Sequence, residues 1–154
     1  MHYFDYNQEQ SEGTPSQQLT VLDGLSEEEW QSVLKHAKSI QFKAGDLLLK
    51  VGESDDALYI LVSGEVEVIG SNSFGFEKRI ATISEGSVFG ELAFFDNQPR
   101  SASIRAVQSG QVLRLSRKGF ERISAWNPQL AQQLLFDLGR VLAHRFRNEI
   151  PYKI

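Results

Sequence analysis

The sequence has no cysteine and only three histidines in its 154 residues. Without cysteine, neither a disulfide framework nor a thiolate metal site can form. The histidines, His2, His36 and His144, all lie outside the stretch between residues 40 and 116, so they do not form the clusters with carboxylates that a metal site requires. We therefore expect no metal ion in this protein.

Long apolar runs and an excess of positive charge are also missing. The longest apolar run, Ala57–Val62, covers six residues, whereas a membrane-spanning helix needs about 20. The first ten residues do not combine a basic segment with an apolar one, so we expect no secretory signal. The net charge of −4 disfavours direct binding to nucleic-acid phosphates. The sequence thus predicts a cytoplasmic protein that binds neither membranes nor nucleic acid.

Residues 1–20 differ from the rest of the chain in composition. They are rich in Gln, Ser and Glu and are interrupted by Gly13 and Pro15, a composition that does not support a packed core. We expect residues 1–20 to form a mobile N-terminal tail and residues 21–154 to form one domain. A domain of that size buries a core without disulfides.

A helix is predicted directly after the tail. Ser26 and Glu29 have the spacing of a capping box, which begins a helix, and the helix is expected to end by Ser39. Apolar residues recur within it at helical spacing. These residues, which we expect to face the core, are Trp30, Val33, Leu34 and Ala37.

Two helices are predicted at the C-terminal end. Ser116 is a candidate N-cap for a short helix, and Asn127-Pro128 begins a last helix that runs to about Asn148. The apolar stripe of the last helix is wider than one core contact usually needs. It either covers the core alone or also contacts another subunit, and the sequence leaves both interpretations open. The stripe contains Leu130, Leu134, Leu135, Leu138, Val141, Leu142 and Phe146.

Between Ile40 and Ser116 the apolar pattern has a period of two, which is typical of strands. Glycines separate the segments, as tight turns between strands require. The pattern predicts a mainly β fold, a β-roll or jelly-roll barrel of about eight strands with flanking helices. The predicted strands are Ile40–Phe42, Asp46–Val51, Leu58–Ser63, Glu65–Ile69, Lys78–Ser84, Val88–Phe89, Ser101–Val107 and Gln111–Ser116.

The stretch Val88–Ala106 carries most of the chemical information. It predicts a strand end, one short helical turn, a tight loop and a new strand. Unpaired backbone N–H groups at the start of the turn attract an anion, Gly90 lets the backbone approach closely, and Arg100 adds a permanently charged fork of donors. Glu91 has the opposite chemistry, since a carboxylate accepts hydrogen bonds from hydroxyl groups. We expect the loop to bring Glu91 and Arg100 together.

The same stretch resembles the phosphate-binding cassette of the cyclic nucleotide-binding domain family. The cassette stands here as F-G-E-L-A at 89–93 and P-R-S-A at 99–102, with further matches at 43–46, 51–53 and 58–66. The resemblance covers residues 25–146. It implies that Glu91 binds the ribose 2′-hydroxyl and that Arg100 binds the cyclic phosphate. The ligand-binding residues that it implies are Phe89, Gly90, Glu91, Leu92, Ala93, Arg100, Ser101 and Ala102.

This resemblance implies a non-catalytic sensor whose regulatory ligand is a cyclic nucleotide. Serine at position 101, directly after the arginine, favours cAMP over cGMP within the family. Ligand binding is expected to move the C-terminal helices against a protein partner or a second copy of the chain. Arg145 and Phe146 are candidates for a lid over the site. The expected apolar hinge consists of Phe94, Phe95, Ile123, Trp126 and Leu130.

Four other classes of protein compete with this interpretation. A nucleotide-independent protein–protein interaction module, in which Glu91 and Arg100 merely bridge each other, is the main alternative. A cupin-like metalloenzyme needs histidine ligands within the barrel, and a hydrolase needs a nucleophile-elbow signal, but the sequence has neither. A DNA-binding regulator needs a helix-turn-helix module after the last helix, and the sequence ends at Ile154. We therefore expect a stand-alone domain that is not an enzyme.

Overall fold

The computed structural model describes residues 19–71 and 74–148. Within this part of the chain the fold is mainly β with flanking helices, as the sequence predicted. The predicted tail lies outside the described residues except for Leu19 and Thr20, and Leu19 packs into the core. The division into a tail and a domain otherwise stays a prediction.

The described residues form four helices and six β-strands. In chain order these are α1 (Glu27–His36), β1 (Lys38–Phe42), β2 (Leu47–Leu49), β3 (Leu58–Ser71), β4 (Glu77–Ile83), β5 (Val88–Phe89), α2 (Glu91–Asp96), β6 (Ser103–Leu115), α3 (Arg117–Trp126) and α4 (Pro128–Asn148). The strands pair antiparallel in the order β1-β6-β3-β4, with β2 added to β6 and β5 added to β3.

Each of β3 and β6 contains two of the eight predicted strands, so the prediction overcounted them. The breaks expected at Gly64 and Gly110 are bends, because pairing between β3 and β6 continues through register shifts there. Gly64 has φ of 89°, and a Cβ on either glycine would collide with the backbone of the facing strand. Glycine at these two positions therefore bends a long strand pair and does not end it.

The capping box at the start of α1 is present. The N–H of Ser26 donates to Glu29 Oε1 at 3.0 Å, and the N–H of Glu29 donates to Ser26 Oγ at 3.1 Å. Val33 is buried, while Trp30 and Ala37 pack partly against the core. Leu34, which periodicity also assigned to the buried face, is 42% exposed, because only a narrow face of this short helix contacts β1 and α3.

The predicted starts of α3 and α4 are also confirmed by their caps. Ser116 Oγ accepts a hydrogen bond from the N–H of Gly119 at 3.0 Å, and Asn127 Oδ1 accepts one from the N–H of Leu130 at 3.2 Å. The apolar stripe of α4 is divided between core and surface. Its buried members are Leu130, Leu134, Leu138 and Val141, while Leu135 and Phe146 are exposed.

Two apolar clusters form the core. One fills the barrel and includes Phe89 and Ile104, and the other lies between the outer side of the strands and helices α1, α3 and α4. The segment from β5 to β6 contributes to both clusters, with Val88 and Phe94 in the helix cluster and Phe89 and Ala102 in the barrel cluster. None of the helices within the described ranges is both long and apolar enough to cross a lipid bilayer.

Candidate functional site

The segment between β5 and β6 forms the cassette that the sequence predicted. Gly90 caps α2 with φ of 78°, a conformation that favours glycine. Asn97 ends the helix in the left-handed region, and its N–H donates to the Ala93 carbonyl at 2.8 Å. In the loop that follows, the Arg100 carbonyl accepts a hydrogen bond from the N–H of Gly52 at 2.8 Å, and the N–H of Arg100 donates to the Glu53 carbonyl at 2.8 Å. These two bonds fix the backbone of Arg100.

A cavity of about 120 Å³ lies against the cassette. Six of the eight predicted site residues line it, namely Gly90, Leu92, Ala93, Arg100, Ser101 and Ala102, together with Leu49 and Ile104 from the barrel. Phe89 does not line it, because its ring is fully buried and stacks on Tyr59 at 5.1 Å between centroids. Glu91 also lies away from the cavity wall. The predicted set therefore separates into a cavity lining and two buried neighbours.

Arg100 is buried in the wall of this cavity, with 5% of its surface exposed. Its Nη1 donates to the Gly90 carbonyl at 2.9 Å, and its Nη2 donates to the Ala57 carbonyl at 2.8 Å and to Asp55 Oδ2 at 3.0 Å. Nε has no hydrogen-bond partner among the described residues. A guanidinium has five N–H donors, so these three bonds leave two donors without a partner among the described residues.

Glu91 is more deeply buried, with 1% of its surface exposed. Its Oε1 accepts a hydrogen bond from Nη1 of Arg145 at 2.7 Å, and Oε2 has no partner within the described part of the chain. Glu91 and Arg100 form no ion pair with each other among the described residues, so the direct bridge that the interaction-module alternative assumes is absent there. Nη1 of Arg100 donates to the backbone carbonyl of Gly90 and not to the Glu91 carboxylate. Glu91 is paired with Arg145 of α4. Arg145 thus lies inside the site, whereas Phe146, the other lid candidate, is exposed.

Asp55 was not identified from the sequence, although it holds much of the site together. Oδ1 accepts hydrogen bonds from Arg114 at 2.6 Å and from the N–H of Ala57 at 3.1 Å, while Oδ2 accepts from Arg100 and from the Tyr59 hydroxyl at 2.9 Å. Burial alone would raise the pKa of Asp55, but the hydrogen bonds from Tyr59, Arg100 and the Ala57 N–H, together with the charge of Arg114, outweigh it and lower the pKa below its ordinary value. Burial and the bond to Asp55 raise the pKa of Tyr59.

The lowered pKa of Asp55 predicts a dependence of stability on pH. A group whose pKa is depressed in the folded state stabilises the fold above its ordinary pKa, about 3.9, and this contribution is lost as pH falls through the folded pKa. We expect Asp55→Asn to destabilise the protein at pH 7 and to flatten its loss of stability between about pH 5 and pH 2. Urea denaturation of the parent and the variant at pH 7 and across that range measures both effects. Equal slopes for parent and variant would contradict the assignment.

The fold is a β-roll flanked by helices, with a short helical cassette between two of its strands. Residues 39–126 match the sequence model of a protein family, the cyclic nucleotide-binding domain. The chain therefore belongs to the cyclic nucleotide-binding domain family.

Individual relatives agree with this family. A cAMP-dependent protein kinase regulatory subunit from Emericella nidulans is 36% identical over 107 residues, which are 70% of this chain and 25% of that protein. A CRP-like cAMP-activated global transcriptional regulator from Mycobacterium tuberculosis is 28% identical over 83% of this chain and 55% of that protein. The chain thus spans a quarter to about half the length of these curated relatives.

Solved structures extend the comparison to the whole fold. A cyclic nucleotide-binding domain from Methylobacillus flagellatus is 30% identical, with a TM-score of 0.75, over 84% of this chain and 74% of that chain. These comparisons confirm the family that the sequence motifs predicted.

Proposed function

We propose that this domain is a non-catalytic cytoplasmic sensor that binds a cyclic nucleotide, cAMP in preference to cGMP, and signals by moving its C-terminal helices against a partner. Its binding residues are the cavity-lining cassette residues and Glu91. Phe89, which is buried next to them, packs against Tyr59 and does not line the cavity. No metal takes part in this proposal. The partner is either another protein or a second copy of the chain.

The observation that carries the proposal is the placement of Arg100. A buried guanidinium with two unused donors, next to a glycine backbone and a cavity, is suited to a singly charged phosphodiester. A charge-assisted hydrogen bond in such a place contributes about 1.5–3 kcal/mol. Ser101 lines the same cavity, and its hydroxyl is a further donor for the phosphate.

The choice of ligand rests on Glu91 and on the relatives. Cyclic 3′,5′ nucleotides keep a ribose hydroxyl at the 2′ position, and the unpartnered Oε2 of Glu91 is an acceptor for such a group. The preference for cAMP draws on Ser101 and on the names of the kinase regulatory subunit and the transcriptional regulator, both of which refer to cAMP.

Signal output is proposed to pass through α2 to the C-terminal helices. Phe94 of α2 is buried and meets Phe120 of α3 edge-on at 5.6 Å, and its carbonyl accepts a hydrogen bond from Arg117 at 3.1 Å. Of the expected hinge residues, Phe94, Ile123 and Leu130 are buried, whereas Phe95 and Trp126 are exposed. A partner would meet the exposed apolar residues of α4, which include Leu135, Phe136 and Phe146.

Titration calorimetry with cAMP, cGMP and a cyclic dinucleotide tests the proposal directly. We expect saturable binding of cAMP, weaker binding of cGMP and no binding of the dinucleotide. Absence of binding with all three would refute the sensor and favour the alternative, a nucleotide-independent protein–protein interaction module. One observation supports that alternative. The exposed apolar residues of α4 could bind a partner protein whether or not a nucleotide is bound.

A further inference from the structure

A groove of about 470 Å³ lies between α1 and α3, and none of its lining residues belongs to the cassette. Its volume is within the range of about 300–1,000 Å³ that binding sites usually have. The two helices touch where the carbonyl of His36, at the end of α1, lies against Gly119 of α3. The groove is therefore a feature of the folded domain itself.

The wall of this groove combines an exposed aromatic ring with positive charge. Trp126 lines it with 72% of its surface exposed. Lys35 and Arg122 line it from the two helices, and neither has an ion-pair partner among the described residues. His36 also lines it, and Glu28 is the only carboxylate among the described lining residues. Such a surface fits a segment that carries aromatic side chains and an excess of negative charge.

Residues 1–18 of this chain have the chemistry that the groove requires. They include Asp5, Glu9 and Glu12 but no lysine or arginine. They also contain aromatic residues close to these carboxylates, namely Tyr3, Phe4 and Tyr6. Tyrosine and phenylalanine rings stack on tryptophan and attract cations to their faces. Both the charge and the aromatic side chains of this segment therefore complement the groove.

The segment is joined to the domain on the side of the helices. Leu19, the first described residue, is buried in the apolar cluster beside α1, α3 and α4, and Trp30 of α1 packs against the same cluster. Residues 7–18 connect the aromatic residues to Leu19 and reach up to about 40 Å. That reach exceeds the diameter of about 35 Å expected for a compact domain of this size. A tether of this kind gives an effective concentration in the millimolar range, so weak contacts are sufficient for binding.

We propose that residues 2–12 of this chain bind in the groove between α1 and α3 of the same molecule. The aromatic side chains of the segment contact the ring of Trp126, and its acidic side chains face Lys35 and Arg122. Bound in this way, the segment bridges α1 and α3. The groove shares no lining residue with the cassette cavity, so the interaction does not require a bound nucleotide.

A spin label on the N-terminal segment of the full chain tests the proposal. Because the chain has no cysteine, a nitroxide attached to Gln8→Cys labels that segment alone. We expect the nitroxide to broaden the NMR signal of the Trp126 indole N–H and the amide signals of α1 and α3, and to leave those of Leu47–Leu49 in β2 sharp. The chain has two tryptophans, and Trp126→Phe identifies which indole signal belongs to which residue.

Charge reversal tests whether the groove itself holds the segment. The double variant Lys35→Glu, Arg122→Glu exchanges attraction for repulsion at two exposed positions, so the broadening at Trp126 should fall by a factor of at least about three. Adding Asp5→Lys and Glu9→Lys to that variant restores opposite charges and should restore the broadening. Thermal denaturation establishes that each variant is folded.

The double variant Lys43→Glu, Lys118→Glu is the matched control, because it reverses two exposed charges outside the groove and should broaden as the parent does. Unchanged broadening after reversal of Lys35 and Arg122 would overturn the proposal, as would a charge-swapped variant that does not recover. Absence of broadening in the parent would refute it and leave the groove to a partner protein.

Binding between two molecules is distinguished by mixing. Chains that carry the spin label but no ¹⁵N are combined with ¹⁵N-labelled chains that carry no spin label. We expect sharp signals in this mixture, because each segment occupies the groove of its own molecule. Broadening as strong as in the singly prepared, spin-labelled ¹⁵N chain would place the segment in the groove of a second copy, and the proposal would be wrong.

Discussion

Replacing Arg100 by glutamine is expected to weaken cAMP binding by about 2–5 kcal/mol, the cost of truncating one side of a buried charge pair. Glutamine is uncharged and has fewer donors, so a phosphodiester at this position would lose its counter-charge. The effect is expected to be large because the Arg100 side chain is 3% exposed, and water is poorly placed to replace it. Calorimetry of the parent and the variant under identical salt measures the difference.

Arg100 has a structural role as well, so the test needs a separate measure of stability. The side chain satisfies the carbonyls of Gly90 and Ala57, and the variant leaves both to find other donors. Thermal denaturation establishes the temperature at which the variant is fully folded, and binding is compared there. Arg105→Gln is the matched control, because the ion-pair partners of Arg105, Glu67 and Glu77, are not cassette residues. Binding by Arg100→Gln within twofold of the parent would refute the assignment.

The cassette itself was predictable because its information is local. A glycine with positive φ, a short helical turn and a loop that returns to a strand depend on residues that follow one another in the chain. Six of the eight predicted residues accordingly line one cavity. The family resemblance rests on the same local residues, which is why it identified the domain before any contact was known.

The partners of the two charged residues were not predictable in this way. Asp55 lies 45 residues before Arg100, and Arg145 lies 54 residues after Glu91. Either arginine would satisfy either carboxylate chemically, and only the packing of β3, β6 and α4 decides between them. Net charge was equally uninformative, because a chain with a net charge of −4 still places two arginines in the interior of its site.

Periodicity had a related limit for strands and helices. It identifies which residues are apolar but not what lies opposite them. The sequence predicts strand ends at Gly64 and Gly110 because glycine suits tight turns, but these glycines are instead the facing positions at which one strand pair bends. In the same way, Leu135 belongs to the apolar stripe of α4 by spacing, yet no element of the described chain covers it fully.

The second large effect concerns Gly90→Ala, which should destabilise the fold by about 2–5 kcal/mol. Alanine in the left-handed region costs about 1–2 kcal/mol, and an added methyl group in a packed site costs about 1–3 kcal/mol more. The added Cβ would lie 2.8 Å from Nη1 of Arg100 and 3.1 Å from the Ala57 carbonyl. Because Arg100 would have to shift, cAMP affinity should fall together with stability.

Gly24→Ala separates the two contributions. Gly24 has the same φ of 78° as Gly90, but a Cβ built on it meets nothing within 4 Å. We therefore expect Gly24→Ala to lose only the backbone contribution, about 1–2 kcal/mol, and to bind cAMP as the parent does. Urea denaturation of both variants gives the loss of stability, and calorimetry gives the affinity for cAMP. Equal losses of stability and unchanged binding in both variants would mean that Arg100 is free to move, and the cassette would then lack the rigid guanidinium on which the proposed recognition of a phosphodiester depends.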